Sequence, residues 1–257
     1  MCEKHIILLD KLSITLWKGD RLKCAIFDKD GTLLDFEAFW VPVAKKAIDV
    51  ICAPYKIDAQ TRKDVLKAIG IGETVSILGP LCYGTYADIA NAIYDTLKNN
   101  NIKCDKDYIL NVTHDAFADN ISEGDLKPTS KNLKAALEKL KSEGTKLFVV
   151  TADSYDMTKY CLDKIEIFDL FDEILTDDGI HPGKPNPYYI DYLQDKYGFN
   201  KDEMCMVGDT LADMKFANNG HIKAFGVGEN EKNREILGEL ADLTASNVEA
   251  LYGKYSI

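Results

Sequence analysis

Hydrophobic positions along the chain follow two different patterns. From about Thr129 onward, helical and strand patterns alternate. Leu133, Ala136, Leu137 and Leu140 recur at helical spacing, with Ser130 as the expected N-cap. The run Lys146-Leu147-Phe148-Val149-Val150-Thr151 reads as a strand buried on both faces and ending on a hydroxyl. A helix through Met157, Tyr160 and Cys161 follows, capped by Asp153 or Ser154. The series continues with a strand near Glu173-Ile174-Leu175, a helix starting at Pro187 and a strand over Met204–Val207. A helix near Ala212 to Asn218 and a strand at Lys223 to Val227 complete it. Such alternation implies parallel strands joined by right-handed crossovers. The expected fold class is therefore α/β, with a doubly wound parallel sheet.

A further short apolar strand, Cys24-Ala25-Ile26-Phe27, stands ahead of this series. Between Leu34 and about Pro128 the alternation disappears. Phe39, Val43, Ala47 and Val50 form one helical stripe, Tyr86, Ile89, Ala90, Ile93 and Leu97 a second, and Ile109, Val112, Ala116 and Phe117 a third. A connection of roughly 90 residues far exceeds the roughly 2 to 6 of an ordinary βα loop. It reads as an inserted helical cap domain over the strand end bearing Asp28 and Asp30, with 36–125 as the cap and 1–35 plus 126–257 as the core. Leu12-Ser13-Ile14-Thr15-Leu16-Trp17 alternates weakly and suggests an added edge strand or hairpin.

Composition narrows the classes. With 46% hydrophobic and 28% charged residues in 257, the chain has the balance of a soluble globular protein. No window approaches the roughly 18 apolar residues of a membrane span, and His5–Leu9 lacks the flanks of a signal peptide. A cytoplasmic protein is the simpler expectation. Its 7 cysteines are scattered and never form a C-x-x-C pair, which argues against both a disulfide framework and a thiolate zinc site. His114 and His221 show no metal-ligand spacing and read as helix or turn residues. A net charge of −11 disfavours nucleic acid and anionic membranes as partners. A small phosphate ester would need local cations to draw it in.

Candidate chemistry gathers at the predicted strand ends. Asp28-Lys29-Asp30-Gly31-Thr32 follows the first strand, and the two-residue alternation of a strand places Asp28 and Asp30 on one side. Thr151 closes a second strand, Lys184 lies in Gly183-Lys184-Pro185-Asn186-Pro187, and Gly208-Asp209-Thr210-Leu211-Ala212-Asp213 follows a third. Alone, each has an ordinary reading as a turn residue, a solvated lysine, a cap or a helix-start acid. Together, at one edge of a parallel sheet, they supply what phosphoryl transfer needs. Asp28 is a nucleophile, Asp30 an acid/base, Thr151 a hydroxyl donor and Lys184 a cation. Clustered carboxylates would repel a phosphate, so a magnesium ion held by Asp28, Asp209 and the substrate fits the set.

These four motifs, over about Lys23–Asp35 and Pro128–Val227, resemble those of the haloacid dehalogenase-like superfamily. The helical insert is similar to that family's first-type cap, as in phosphoglycolate phosphatases and β-phosphoglucomutases. The resemblance implies a Rossmann-like core and a two-step reaction. Asp28 forms an aspartyl phosphate, while Asp30 protonates the leaving alcohol and later deprotonates water. Thr151 and Lys184 hold the transferring oxygens. Magnesium is implied at the Asp28 carboxylate, the Asp30 backbone carbonyl and Asp209, with Asp213 in support. A carboxylate at position 30 sets the chain apart from relatives that cleave carbon–halogen or phosphonate bonds and from the ion-pumping ATPases.

The leading expectation is a magnesium-dependent phosphatase acting on a small phosphorylated metabolite. A sugar phosphomutase using the same aspartyl phosphate remains the alternative, and a non-catalytic binding protein a third. Ile69-Gly70-Ile71-Gly72-Glu73 and Gly79–Gly84, with Tyr83, are candidate substrate loops in the insert, although ordinary helix connections account for them as well.

Overall fold

The computed structural model describes residues 22–253. The weakly alternating Leu12–Trp17 segment lies outside them. Six strands form one sheet: β1 (Cys24–Phe27), β2 (Lys146–Val150), β3 (Glu173–Leu175), β4 (Met204–Gly208), β5 (Lys223–Val227) and β6 (Leu243–Ala245). Their order is β3-β2-β1-β4-β5-β6, and every neighbouring pair is parallel. The order runs outward from β1 toward β3 and from β4 toward β6, so it reverses between β1 and β4. That is the topological switch point, where the strand ends of an open parallel sheet leave a crevice.

The central strands read as unbroken apolar runs because both faces are covered. All of β1 is buried, as is β2 beyond its first residue. Ala25, Phe27, Leu147, Val149, Cys205 and Val207 enter one hydrophobic cluster. The alternate residues Cys24, Ile26, Phe148, Met204 and Met206 are equally buried on the opposite face.

The described residues divide into two compact units, one comprising 22–34 and 128–253, the other Asp35–Lys127. The second unit is helical. Its elements are α1 (Phe36–Cys52), α2 (Ala59–Ala68), the short α3 (Pro80–Tyr83), α4 (Tyr86–Asn99) and α5 (Lys106–Asp119). Asp35, Asp58, Thr85 and Asp105 cap the four longer helices through their side chains. The unit has its own core, built from Val43, Ala47, Ile48, Ile51, Val65, Ile89, Ile93, Ile109 and Phe117. Not every expected stripe position enters it: Tyr86 is exposed, and Val112 packs against it only half-buried. Val50 is 50% exposed because Ile48, Ile51 and Cys52 take the inward face at the end of α1, and Thr113 rather than Val112 is buried in α5. Helix α2 carries a mean hydropathy too low for its apolar stripe to stand out, and sequence reading passed it over.

The remaining helices are α6 (Leu133–Ser142), α7 (Tyr155–Lys164), α8 (Tyr188–Tyr197), α9 (Leu211–Gly220), α10 (Glu231–Leu237) and α11 (Val248–Gly253). Leu133, Leu137, Leu140, Leu162, Val248 and Leu251 place α6, α7 and α11 against the first sheet face. On the other, Phe148 meets the rings of Tyr197 and Phe199 at 5.1 and 6.0 Å. The sheet is thus covered on both sides. Helix α6 is capped differently from expectation: Asn132, not Ser130, stands at its N-cap, with no side-chain bond to the helix. No helix among the described residues is long and apolar enough to cross a membrane. Six cysteines there are free, and Cys24, Cys52, Cys161 and Cys205 are buried.

Phe148 is fully buried, so Phe148→Ala should cost about 3–5 kcal/mol. The measurement is urea unfolding, in which the midpoint should fall at unchanged slope. A loss below about 1 kcal/mol would contradict the packing described.

Candidate active site

Asp28 is the first residue beyond β1, and its backbone N–H donates to the Val207 carbonyl of β4 at 2.9 Å, which holds it at the switch point. Strand pairing ends there, so the two-residue alternation expected to align Asp28 with Asp30 is interrupted. The chain turns through Gly31, at φ +84°. The two carboxylates consequently take different partners.

Asp28 enters a four-residue network. Lys184 Nζ donates to Asp28 Oδ1 at 2.5 Å and to Asp213 Oδ1 at 2.6 Å. The lysine is 9% exposed and Asp213 wholly buried. Local sequence explains how each arrives. Thr210 caps α9 in a reciprocal capping box, in which Asp213 Oδ2 accepts from the Thr210 N–H at 3.0 Å and hydroxyl at 2.6 Å. That fixes the Asp213 carboxylate and turns its other oxygen to Lys184. The Lys184 loop is tied to the same helix, since Asn219 Nδ2 donates to the Pro185 carbonyl at 2.9 Å. Asp209 follows β4, and its Oδ1 accepts from the Thr32 hydroxyl at 3.0 Å. Two glycines make room, because a Cβ on Gly31 would overlap the Asp209 carboxylate and one on Gly208 would overlap Asp213.

The carboxylates of Asp28, Asp209 and Asp213 offer ligand atoms all within 4.8 Å of one another. Unit charges about 4 Å apart interact by about 4 kcal/mol at an effective dielectric near 20, so three ionised carboxylates with one lysine are short of positive charge. The titration behaviour expresses this deficit. Burial, with Asp213 and Asp30 adding to it, pushes Asp28 up to about 7 although Lys184 pulls it down. Burial and the neighbouring Asp28 and Asp213 charges push Asp209 well above the usual carboxylate range. Lys184 is held above its ordinary value, its two carboxylates outweighing the effect of burial. Hard oxygen donors crowded around a deficit of positive charge fit a divalent cation of the magnesium type.

Asp30 and Thr151 belong to a second network. The Asp30 carboxylate pairs with Lys29 Nζ at 2.8 Å, and Lys29 also lies 2.9 Å from Asp153. Thr151 is the first residue beyond β2, the neighbour of β1, with its N–H bonded to the Leu175 carbonyl at 3.1 Å. Its hydroxyl oxygen accepts from the Asp153 N–H at 3.3 Å. Thus Asp28, Lys184, Asp209 and Asp213 converge directly, while Asp30 and Thr151 are joined through Lys29 and Asp153. Sequence reading gave no task to Lys29, Thr32 or Thr210, and took Asp153 only as an alternative cap of α7, the place Ser154 holds. The signals were there: a lysine and a threonine inside the Asp28–Thr32 run, and a Thr-x-x-Asp capping pair.

Comparisons with known proteins agree with one another. The model of the family described as "Hydrolase: haloacid dehalogenase-like hydrolase" matches residues 22–221. A phosphoglycolate phosphatase of Aliivibrio fischeri is 27% identical over 206 residues, covering 80% of this chain and 84% of that protein. The pyrophosphatase PpaX of Bacillus velezensis is 27% identical over 218 residues, covering 84% and 88%. The solved structure of a haloacid dehalogenase-like family hydrolase of Streptococcus pneumoniae superposes with a TM-score of 0.62 at 15% identity, covering 91% of this chain and 99% of that one.

The raised Asp28 sets a pH dependence. A carboxylate at about 7 in the folded chain against 3.8 unfolded takes up a proton on folding. Its contribution to stability is full below the unfolded value and is lost as pH rises through the folded one. Without divalent metal, the melting temperature should therefore fall between about pH 4 and about pH 7, and magnesium should restore it. Removing one acid should relieve the same repulsion. Asp209→Asn is expected to melt above the parent in metal-free buffer at about pH 8 and to respond less to magnesium. Unchanged melting in both conditions would rule out a shared cation site.

Proposed function

The chain belongs to the haloacid dehalogenase-like hydrolases, and from that premise we propose that it is a magnesium-dependent phosphatase of a small phosphorylated metabolite, working through an aspartyl phosphate. The supporting observation is the Lys184 ammonium bonded to both Asp28 and Asp213 at the switch point, beside Asp209. Curated relatives at 27% identity include phosphatases of phosphoglycolate and of pyrophosphate, which favours hydrolysis over a mutase reaction. Phosphoglycolate and sugar phosphates are the first substrates to test.

In this reading Asp28 is the nucleophile. Lys184 engages its Oδ1 and so fixes the carboxylate. An ammonium has three N–H donors, and two are committed here, which leaves one for a phosphate oxygen. Thr151 donates its hydroxyl proton to a second oxygen, since the hydroxyl oxygen itself accepts from Asp153. As the Asp28 oxygen bonds to phosphorus, the ester P–O bond breaks with its electron pair on the leaving oxygen, which takes a proton from Asp30. Water then attacks phosphorus and gives its proton to Asp30, and the acyl phosphate bond breaks to return the Asp28 carboxylate. Magnesium would be held by the Asp28 and Asp209 carboxylates and the Asp30 backbone carbonyl, with Asp213 in support, and would supply the positive charge the acids lack. The helical unit is assigned the role of a cap that selects the substrate. Free cysteines suit a reducing, cytoplasmic compartment.

Phosphate release from 4-nitrophenyl phosphate and from 2-phosphoglycolate tests this reading. Asp28→Asn should abolish turnover, Lys184→Met should lower it by about 10²–10³-fold, and a chelator should stop it until magnesium is returned. Undiminished turnover in Asp28→Asn would overturn it.

A further inference from the structure

Lys29 is wholly buried and has no task in the chemistry above. An ammonium out of water is strongly disfavoured unless its charge is matched, and here Asp153 matches it, joined by Asp30 whenever Asp30 is ionised. Its Nζ lies 2.8 Å from Asp30 Oδ2 and 2.9 Å from Asp153 Oδ2. Burial lowers its proton affinity, yet Asp30 and Asp153 outweigh that and keep it charged.

The two acids sit on different loops. Asp30 follows β1; Asp153 follows β2 and is anchored there by its backbone, whose N–H donates to Thr151 Oγ1 at 3.3 Å and whose carbonyl accepts from the Asp177 N–H at 3.2 Å. Asp30 therefore has one oxygen tied through Lys29 to the loop that carries Thr151. Its other oxygen, Oδ1, is buried and without a hydrogen-bond partner, while Lys29 Nζ and Asp153 Oδ2 meet as an ion pair outside hydrogen-bond geometry. A buried carboxylate oxygen is normally satisfied, and one left bare beside a fixed twin is free to meet a third group.

We propose that Lys29 is a positioning residue: by clamping Asp30 Oδ2 against Asp153 it presents Asp30 Oδ1 to the leaving oxygen and keeps the acid in register with the Thr151 hydroxyl. This rests on the phosphatase reading. The step served is the first half-reaction, in which the ester P–O bond breaks, the electron pair passes to the leaving oxygen, and that oxygen takes the Asp30 proton. An alkoxide needs that proton. A nitrophenolate, being a far weaker base, leaves without it. Misplacing Asp30 should therefore penalise an alkyl phosphate selectively, whereas general damage to the fold would penalise both esters alike.

The experiment compares kcat/KM for 2-phosphoglycolate and 4-nitrophenyl phosphate in the parent, Lys29→Met, Lys29→Arg and Asp153→Asn, each in magnesium and each checked by circular dichroism. General acid catalysis is worth about 10²–10⁴-fold, so Lys29→Met should lose about a hundredfold on the alkyl ester and at most about fivefold on the aryl ester. Asp153→Asn should show the same selectivity in smaller measure, and Lys29→Arg should recover part of the loss. If Lys29→Met does not fold, Asp153→Asn and Lys29→Arg decide by the same ratio. Equal losses on both esters would overturn the inference and leave the phosphatase reading standing. A parent releasing phosphate from neither ester would overturn both.

Discussion

The bond pair from Lys184 to Asp28 and Asp213 joins three segments that are distant in sequence and ties the chemistry to the sheet. A lysine with little access to water must be matched by anions, and buried acids must be matched by cations. Here the match is incomplete, because Asp209 adds a third carboxylate within reach of the same atoms. A folded chain that keeps so many acids together leaves room for another positive charge. Acceptance of a cation follows from that local imbalance, and such added positive charge would offset the repulsion of a phosphate ester, which the net charge of −11 also disfavours at long range.

Backbone geometry makes that arrangement possible. Reversal of strand order between β1 and β4 separates the flanking loops and brings Asp28 and Asp209 to one edge. Gly31 and Gly208 then allow the side chains of Asp209 and Asp213 to approach closer than any Cβ would permit. The capping box at Thr210 does two jobs, starting α9 and aiming Asp213 at Lys184. Beside this stands the separate Lys29 network, which spans the loops after β1 and β2.

Much of the core could be read from sequence because its strands are continuous apolar runs and its helices carry strong stripes. Met204-Cys205-Met206-Val207 and Leu133-Ala136-Leu137-Leu140 are examples whose burial is nearly complete. Strand β6, Leu243–Ala245, was not read from the sequence. The Ser130 cap failed because Asn132, a residue type equally favoured at an N-cap, stands in that place two residues on. Chemical types at the strand ends identified Asp28, Lys184, Asp209 and Asp213, which the fold brings into contact. Partnerships were harder. Nothing in a linear run shows that Asp30 faces Lys29 rather than Asp28, since that depends on where strand pairing stops.

The central claim is that Asp28 carries the phosphoryl group. Its most direct test is to quench the enzyme in acid during turnover of 4-nitrophenyl phosphate, reduce any acyl phosphate with borohydride, and map the reduced position by peptide mass spectrometry. Reduction confined to Asp28, and absent without substrate, is the expected result. Reduction at another residue, or none at Asp28 while turnover proceeds, would contradict the assignment.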